Sequence, residues 1–420
     1  MKTSKFLRHL SFWAAASSLL FTYPAFASSE TILHNFTNNP DGAYPMYSLV
    51  FDSSGNLYGT TPNGGSAFAG DVFKLSPNGK GGWTYRVIYT FTDCNVGCYA
   101  RGALTMDEAG NLYGAASVGG ANNTGTIFKL TQNSDGTWSA SALYGFGPDG
   151  GGDGSRPNGV VYFKGGLYGT ASNGGKYGAG IVFSLTQTSG GTWSETILHS
   201  FVGGNVDGEV PMGGVTLDRR GNVYGTTSMG GPSLAGTVFE LTRNRQGTWN
   251  EHILHSFNLT DGNMPWYGSL IFDEDGNLYG TTSGGGSGKY GTVFKLTRSG
   301  KTWTETVLHN FAGGQDGAGP NAGVSIDSQG RLYGTTVEGG GRGNCTNPPS
   351  TDNQYCGTAF LLTPSPSGSW MESFLHRFAS STDGGEPNAG LILDNNGNSY
   401  GVASQGGSAG VAFVLSPPSK

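Results

Sequence analysis

From about residue 30 to the end, short runs of Val, Ile, Leu, Phe, Tyr and Thr alternate with clusters of glycine, aspartate, asparagine and serine. No stretch repeats its apolar positions at helical spacing, and the short β-branched and aromatic runs bounded by turn residues predict strands. The fifth of several similar units gives the pattern most clearly. Its apolar runs cover residues 269–273, 277–282, 291–297 and 304–311. The first two are joined through Asp273, Glu274, Asp275 and Gly276, and the same Asp-x-x-Gly spacing recurs at Asp52, Asp107, Asp218, Asp327 and Asp394. That spacing predicts a tight hairpin turn with glycine in the left-handed position and the aspartate capping backbone amides. The third unit carries Lys164-Gly165-Gly166 instead, which also reads as a turn.

The unit repeats. A Tyr-Gly pair falls at Tyr58, Tyr113, Tyr168, Tyr224, Tyr279, Tyr333 and Tyr400, in steps of 55, 55, 56, 55, 54 and 67 residues. Four antiparallel strands at a period near 55 predict one propeller blade per repeat. A linear solenoid is the competing architecture, and the two ends of the chain decide against it. The last copy stops after its third strand, whereas residues 30–36 form a fourth strand with no first three. Joined, they complete one blade, and a closed ring has no open edges to protect. Six fourth strands open on a tryptophan: Trp83, Trp138, Trp193, Trp249, Trp303 and Trp370. The seventh would fall where the first strand begins. The expected fold is therefore all-β, a closed seven-bladed β-propeller, with residues 28–420 forming one domain of seven repeats.

Composition agrees. Of 420 residues, 75 are glycine, and only 12% are charged against 12% aromatic. Disorder needs more charge and fewer aromatics, and helices tolerate little glycine. Residues 1–27 read as a signal peptide. Lys2, Lys5 and Arg8 precede an apolar run, and Ala25-Phe26-Ala27 offers a small-x-small cleavage site. The apolar run is too short for a membrane span, which takes about 20 residues. The expected location is secreted or periplasmic, after cleavage near Ala27. Loss of that segment leaves 20 Lys+Arg against 29 Asp+Glu, a net charge of −9, which disfavours nucleic acid and anionic membranes as partners.

The segment Asn277-Leu278-Tyr279-Gly280-Thr281-Thr282, followed by glycines and Gly-Thr-Val-Phe-Lys-Leu, resembles the GloVer-type tandem-repeat family of exported bacterial proteins. The likeness covers essentially the whole chain after the signal peptide. It implies repeats and export, and it carries no activity. A proline just ahead of an apolar run ending in aspartate also resembles NHL-type blades.

Four cysteines form two local pairs, Cys94 with Cys98 and Cys345 with Cys356. Both fall in connections on one face of the expected ring, the face that carries the crossovers between blades and the loops between second and third strands. They read as loop-stapling disulfides, since no histidine lies near either pair. Six crossovers contain Asp-Gly-x-x-Pro, at Asp41, Asp153, Asp207, Asp261, Asp316 and Asp383. A ring of carboxylates for calcium is one reading; repetition favours a turn that leads into the next blade. Fourth strands end in His34, His199, His255, His309 and His376, with Tyr89 and Tyr144 in the other two copies. These read as packing residues with one hydrogen bond each, and strand parity sets His252 on the opposite side from His255. No metal site and no cofactor is expected.

Repeated residues build blades, so a specific site is sought where the copies differ. Such positions cluster where the first strands begin: Tyr47, Tyr99, Arg101, Arg156, Trp266 and Tyr267, together with Arg342 in a loop of the same face, form the candidate ligand-binding set. Aromatics beside arginines suit sugar rings and carboxylates. The expected function is a monomeric, non-catalytic binding or scaffold protein for a polysaccharide or protein ligand. The alternative is a carbohydrate-active enzyme, a polysaccharide lyase or glycoside hydrolase, in which the arginines neutralise a uronate and Tyr47, Tyr99 or Tyr267 act as acid or base. No catalytic residue is assigned.

Overall fold

A computed structural model of the chain describes residues 28–148, 151–341, 356–380 and 382–417. Seven four-stranded antiparallel sheets follow one another round a ring. In blade five the strands are Ile271–Phe272, Leu278–Thr282, Thr292–Ser299 and Thr302–Asn310, from the channel outward. The seventh blade is closed by the N-terminal strand. Ser29–Asn35 pairs antiparallel with Val411–Ser416, outside Ser399–Ala403 and Ile392–Leu393. The expected signal peptide, residues 1–27, lies outside the described residues. Among those described, no helix is long and apolar enough to cross a membrane.

The first strands are shorter than the sequence suggests. Five blades pair only two residues there, such as Val50–Phe51 and Ile271–Phe272. Blades two and three instead run long, over Cys98–Met106 and Gly154–Phe163.

The Tyr-Gly repeat has a steric cause. A Cβ on Gly280 would lie 2.6 Å from Phe294 Cζ and 2.9 Å from Leu270 Cδ2. The phenylalanine of the third strand packs across that glycine in every blade, and Phe73, Phe128, Phe183, Phe239, Phe294, Phe360 and Phe413 are all fully buried. Each also meets a phenylalanine from the end of the preceding outermost strand. Phe36–Phe73, Phe257–Phe294 and Phe378–Phe413 have ring centroids 5.2, 5.1 and 5.2 Å apart. Blades are thus joined by one aromatic pair per junction, and the core is a set of wedges between them.

Two further devices recur. Five of the six Trp side chains at the start of outermost strands pack on the preceding blade's Tyr, as Trp138 does on Tyr58 and Trp370 on Tyr279. The outermost strand also carries a β-bulge in every blade, at Leu33, Ile88, Leu143, Leu198, Leu254, Leu308 and Leu375. The bulge corrects the parity expected for His252. Because Leu254 is extra, His255 pairs with Val238 and His252 with Glu240, so both histidines face the same side of the blade.

Candidate functional site

The Asp-x-x-Gly turns form as their spacing requires. In blade two, Asp107 Oδ1 accepts the amides of Ala109 and Asn111 at 3.0 and 2.8 Å. Its Oδ2 accepts Asn111 Nδ2 and the Tyr113 hydroxyl at 2.7 and 2.9 Å. Burial opposes ionisation of this carboxyl, but the hydrogen bonds from Asn111, Tyr113 and Ala109 outweigh it and hold Asp107 below the usual range. The turns lie on one face, and the crossovers lie on the other.

On the crossover face, the residue before the crossover proline in six blades, and Tyr99 at the same position in blade two, adopts left-handed backbone. Tyr44, Tyr99, Arg156, Val210, Met264, Gly319 and Glu386 have φ between 50° and 64°. Non-glycine residues rarely accept this conformation, which costs about 1–2 kcal/mol. The reason for it is visible in the hydrogen bonding: each of these amides donates to the preceding blade, as Tyr44 to Ala409 O (2.8 Å), Arg156 to Thr124 O (2.8 Å) and Glu386 to Cys356 O (2.9 Å). Tyr44 and Tyr99 are exposed as a result, at 48% and 42%.

Inside this ring the first strands of all seven blades enclose a cavity of about 300 Å³, the central channel. Tyr47 and Tyr267 line it. Arg101 ties the two together across its mouth. The guanidinium lies 5.7 Å from the centre of the Tyr267 ring, and its charge acts on the Tyr47 phenol. Trp266 stacks on Tyr267, with centroids 5.4 Å apart and planes 19° from parallel. Burial pushes the Tyr47 phenol up to about 12, with Arg101 partly opposing the shift. Among the described residues, no carboxylate lies within salt-bridge distance of Arg101.

Four of the seven candidate residues therefore converge: Tyr47, Arg101, Trp266 and Tyr267. Tyr99 and Arg156 stand apart in the left-handed ring, and Arg342 lies outside the described residues. Cys94 and Cys98 are joined in a disulfide, with Cys98 fully buried. Cys356 is buried and disulfide-bonded, and Cys345 lies outside the described residues.

The sequence reading missed a second constellation. The crossover aspartates do close their loops: Asp207 accepts the amides of Val202 and Gly208 at 2.7 and 2.6 Å. They also meet the fourth-strand histidines, and a glutamate from the next blade joins them. His199, Asp207 and Glu251 form one such group. His255, Asp261 and Glu305 form another, as do His309, Asp316 and Glu372, and His376, Asp383 and Glu30. The glutamates stand four residues before the next histidine, in a Trp-x-Glu-x-x-x-His pattern that the sequence displays at Trp193, Trp249, Trp303 and Trp370. The bulge explains why it could be overlooked. Without it, positions four apart on a strand share a face. With it, Glu251 turns to the preceding blade and His255 to the following one. Elsewhere the group is altered: Tyr85 replaces the glutamate beside His34 and Asp41, and Tyr144 replaces the histidine beside Asp153 and Glu195.

The sequence matches the Gloeobacter/Verrucomicrobia repeat over residues 14–166 and 160–415. No curated protein matches the chain. Solved propellers are similar in structure at low identity. An ancestral GH74 enzyme superposes with a TM-score of 0.57 at 12% identity, over 90% of this chain and 48% of its own. A puromycin hydrolase gives 0.53 at 12%, over 91% and 53%. A putative 6-phosphogluconolactonase from Bacteroides uniformis gives 0.52 at 13%, over 83% and 88%. The chain thus spans about half the length of the first two, and the likeness establishes the propeller fold alone.

Proposed function

The chain belongs to the Gloeobacter/Verrucomicrobia repeat family, and on that premise we propose that it is an exported, monomeric, non-catalytic binding protein for a carboxylate-bearing glycan, which it grips at the channel mouth. The observation that carries this reading is Arg101, held between the Tyr47 hydroxyl and the Tyr267 ring and facing no described carboxylate. An arginine so placed offers its remaining N–H donors to a ligand anion. The Trp266–Tyr267 stack beside it supplies a flat apolar surface for a sugar ring. The cavity, about 300 Å³, suits a terminal residue rather than a threaded polymer.

The enzyme reading gains less support. A tyrosine acting as base needs a lowered pKa, and burial moves Tyr47 the other way, to about 12. Export is supported by the sequence of residues 1–27 and by the Cys94–Cys98 disulfide, which fits an oxidising compartment.

The test is calorimetry against uronic-acid oligosaccharides and their neutral counterparts. Binding of the acidic series alone is expected, with Arg101→Ala weakening it by roughly tenfold or more, the worth of a lost charge-assisted contact. Equal binding of neutral sugars, or an unchanged Arg101→Ala variant, sinks the proposal. Release of shorter fragments from any polymer, read by mass spectrometry, would replace it with the enzyme reading.

A further inference from the structure

The geometry points to divalent-metal clamps, of the zinc class, at four consecutive blade junctions: His199–Asp207–Glu251, His255–Asp261–Glu305, His309–Asp316–Glu372 and His376–Asp383–Glu30. In each group one imidazole nitrogen and two carboxylate oxygens lie within 4.8 Å of one another. The histidine–aspartate spacing is close to that of ligands round an ion. His Nε2 stands 3.3, 3.2, 3.4 and 3.2 Å from the aspartate in the four groups. It stands 3.3, 3.8 and 3.6 Å from Glu251, Glu372 and Glu30, while Glu305 lies farther from His255, within 4.8 Å. A charge-assisted N–H···O bond is shorter, about 2.7–2.9 Å. The edge of a tetrahedron with zinc bonds of about 2.0–2.2 Å is about 3.3–3.6 Å.

The chain contains its own control. At the fifth histidine the glutamate is replaced by Tyr85, leaving two ligands in place of three. There His34 Nε2 closes on Asp41 at 2.7 Å, an ordinary hydrogen bond. The trios spread only where the third ligand is present. His199 and His376 make long hydrogen bonds to Asp207 and Asp383, but other polar atoms of the trios have no partner. Oε1 of Glu30, Glu251, Glu305 and Glu372 is buried with no hydrogen-bond partner, as is that of Glu195 where Tyr144 replaces the histidine; among the described residues, a histidine Nε2 is buried and unpartnered only within the trios, at His255 and His309. Glu372, whose side chain is only 10% exposed, is the most buried of these carboxylates. A cation would engage these glutamate oxygens together with the imidazole nitrogens.

The donor set selects the ion. Two carboxylates neutralise a divalent charge, and a neutral imidazole favours zinc, manganese or cobalt over calcium and magnesium, which prefer all-oxygen sites. Water completes the coordination. Histidine and aspartate come from one blade and glutamate from the next, so each ion ties two blades, and the last ties in the N-terminal strand through Glu30.

The experiment titrates Zn²⁺ alone, with Ca²⁺ for comparison, into the full chain after chelator treatment. Bound metal is then counted by elemental analysis after dialysis. Three to four zinc ions per chain are expected, together with a higher Tm than in EDTA and no response to Ca²⁺. Co²⁺ should give the intense visible absorption of a tetrahedral site. Glu251→Gln and Glu305→Gln should each remove one ion while leaving the Tm in EDTA unlowered, and the double variant two. Fewer than one zinc bound, equal binding of calcium, or a count unchanged in the double variant overturns the assignment.

Discussion

Two residues of the repeat show how little freedom it has. Gly280 lies against Phe294, so Gly280→Ala must push the ring or the strand aside. A loss of about 1–3 kcal/mol is expected from overpacking, read from the denaturant midpoint. Asp107 gathers four hydrogen bonds into one turn. Its folded pKa is lowered, so its contribution is complete above the unfolded value of about 3.9 and fades as pH falls through the folded one. Asp107→Ala should therefore destabilise at neutral pH, and the gap to the parent Tm should close under acid. This turn was legible because four residues specify it locally. The glutamates of the inter-blade groups were not, because nothing within one repeat reveals what the neighbouring repeat presents.

The outermost strand is where the two sides of a blade are told apart. Its bulge lets one strand offer a glutamate backward and a histidine forward, and strict alternation therefore misplaced His252. The junction of blades two and three uses the same strand position without a histidine. There Tyr144 donates to Asp153 at 3.0 Å and to Glu195 at 3.2 Å. Burial first, and Asp153 second, push Glu195 up to about 8. A raised carboxyl contributes fully below its unfolded pKa and loses that contribution as pH rises through the folded one. Glu195→Gln should thus leave the Tm near that of the parent at pH 4.5 and raise it progressively toward pH 8 and above. A difference that is flat with pH would show that this carboxyl does not titrate in the fold. The first strands were legible only in part. Their apolar runs were found, but the paired length is only two residues in five blades.

At the scale of the ring, the crossover face differs from the turn face in what it exposes. Tyr44, Phe68, Tyr99, Tyr177, Leu234, Leu259 and Met264 all project from its loops, each at least 38% exposed. Seven repeats, closure and blade order could be read from periodicity, because the same wedge must recur for the ring to shut. The channel mouth could be read only as a list of odd residues. Which of them meet depends on facing across the ring: Tyr47 from blade one and Arg101 from blade two reach Tyr267 from blade five. One junction lacks its tryptophan, since Ser28 stands in that place, and a cavity beside Tyr333 remains. Removing residues 28–35 should uncover the edge of Val411–Ser416, and size-exclusion chromatography should show association or aggregation in place of the parent species.

The pairing of Ser29–Asn35 with Val411–Ser416 also sets an order in time. Ser29–Asn35 finds its neighbour only when Val411–Ser416 has been made. Six blades can assemble from neighbouring segments as they appear, but the seventh waits for nearly the whole chain. Until then the growing arc keeps two raw ends. Completion is a single late event, and a chain interrupted anywhere before Val411 never reaches it.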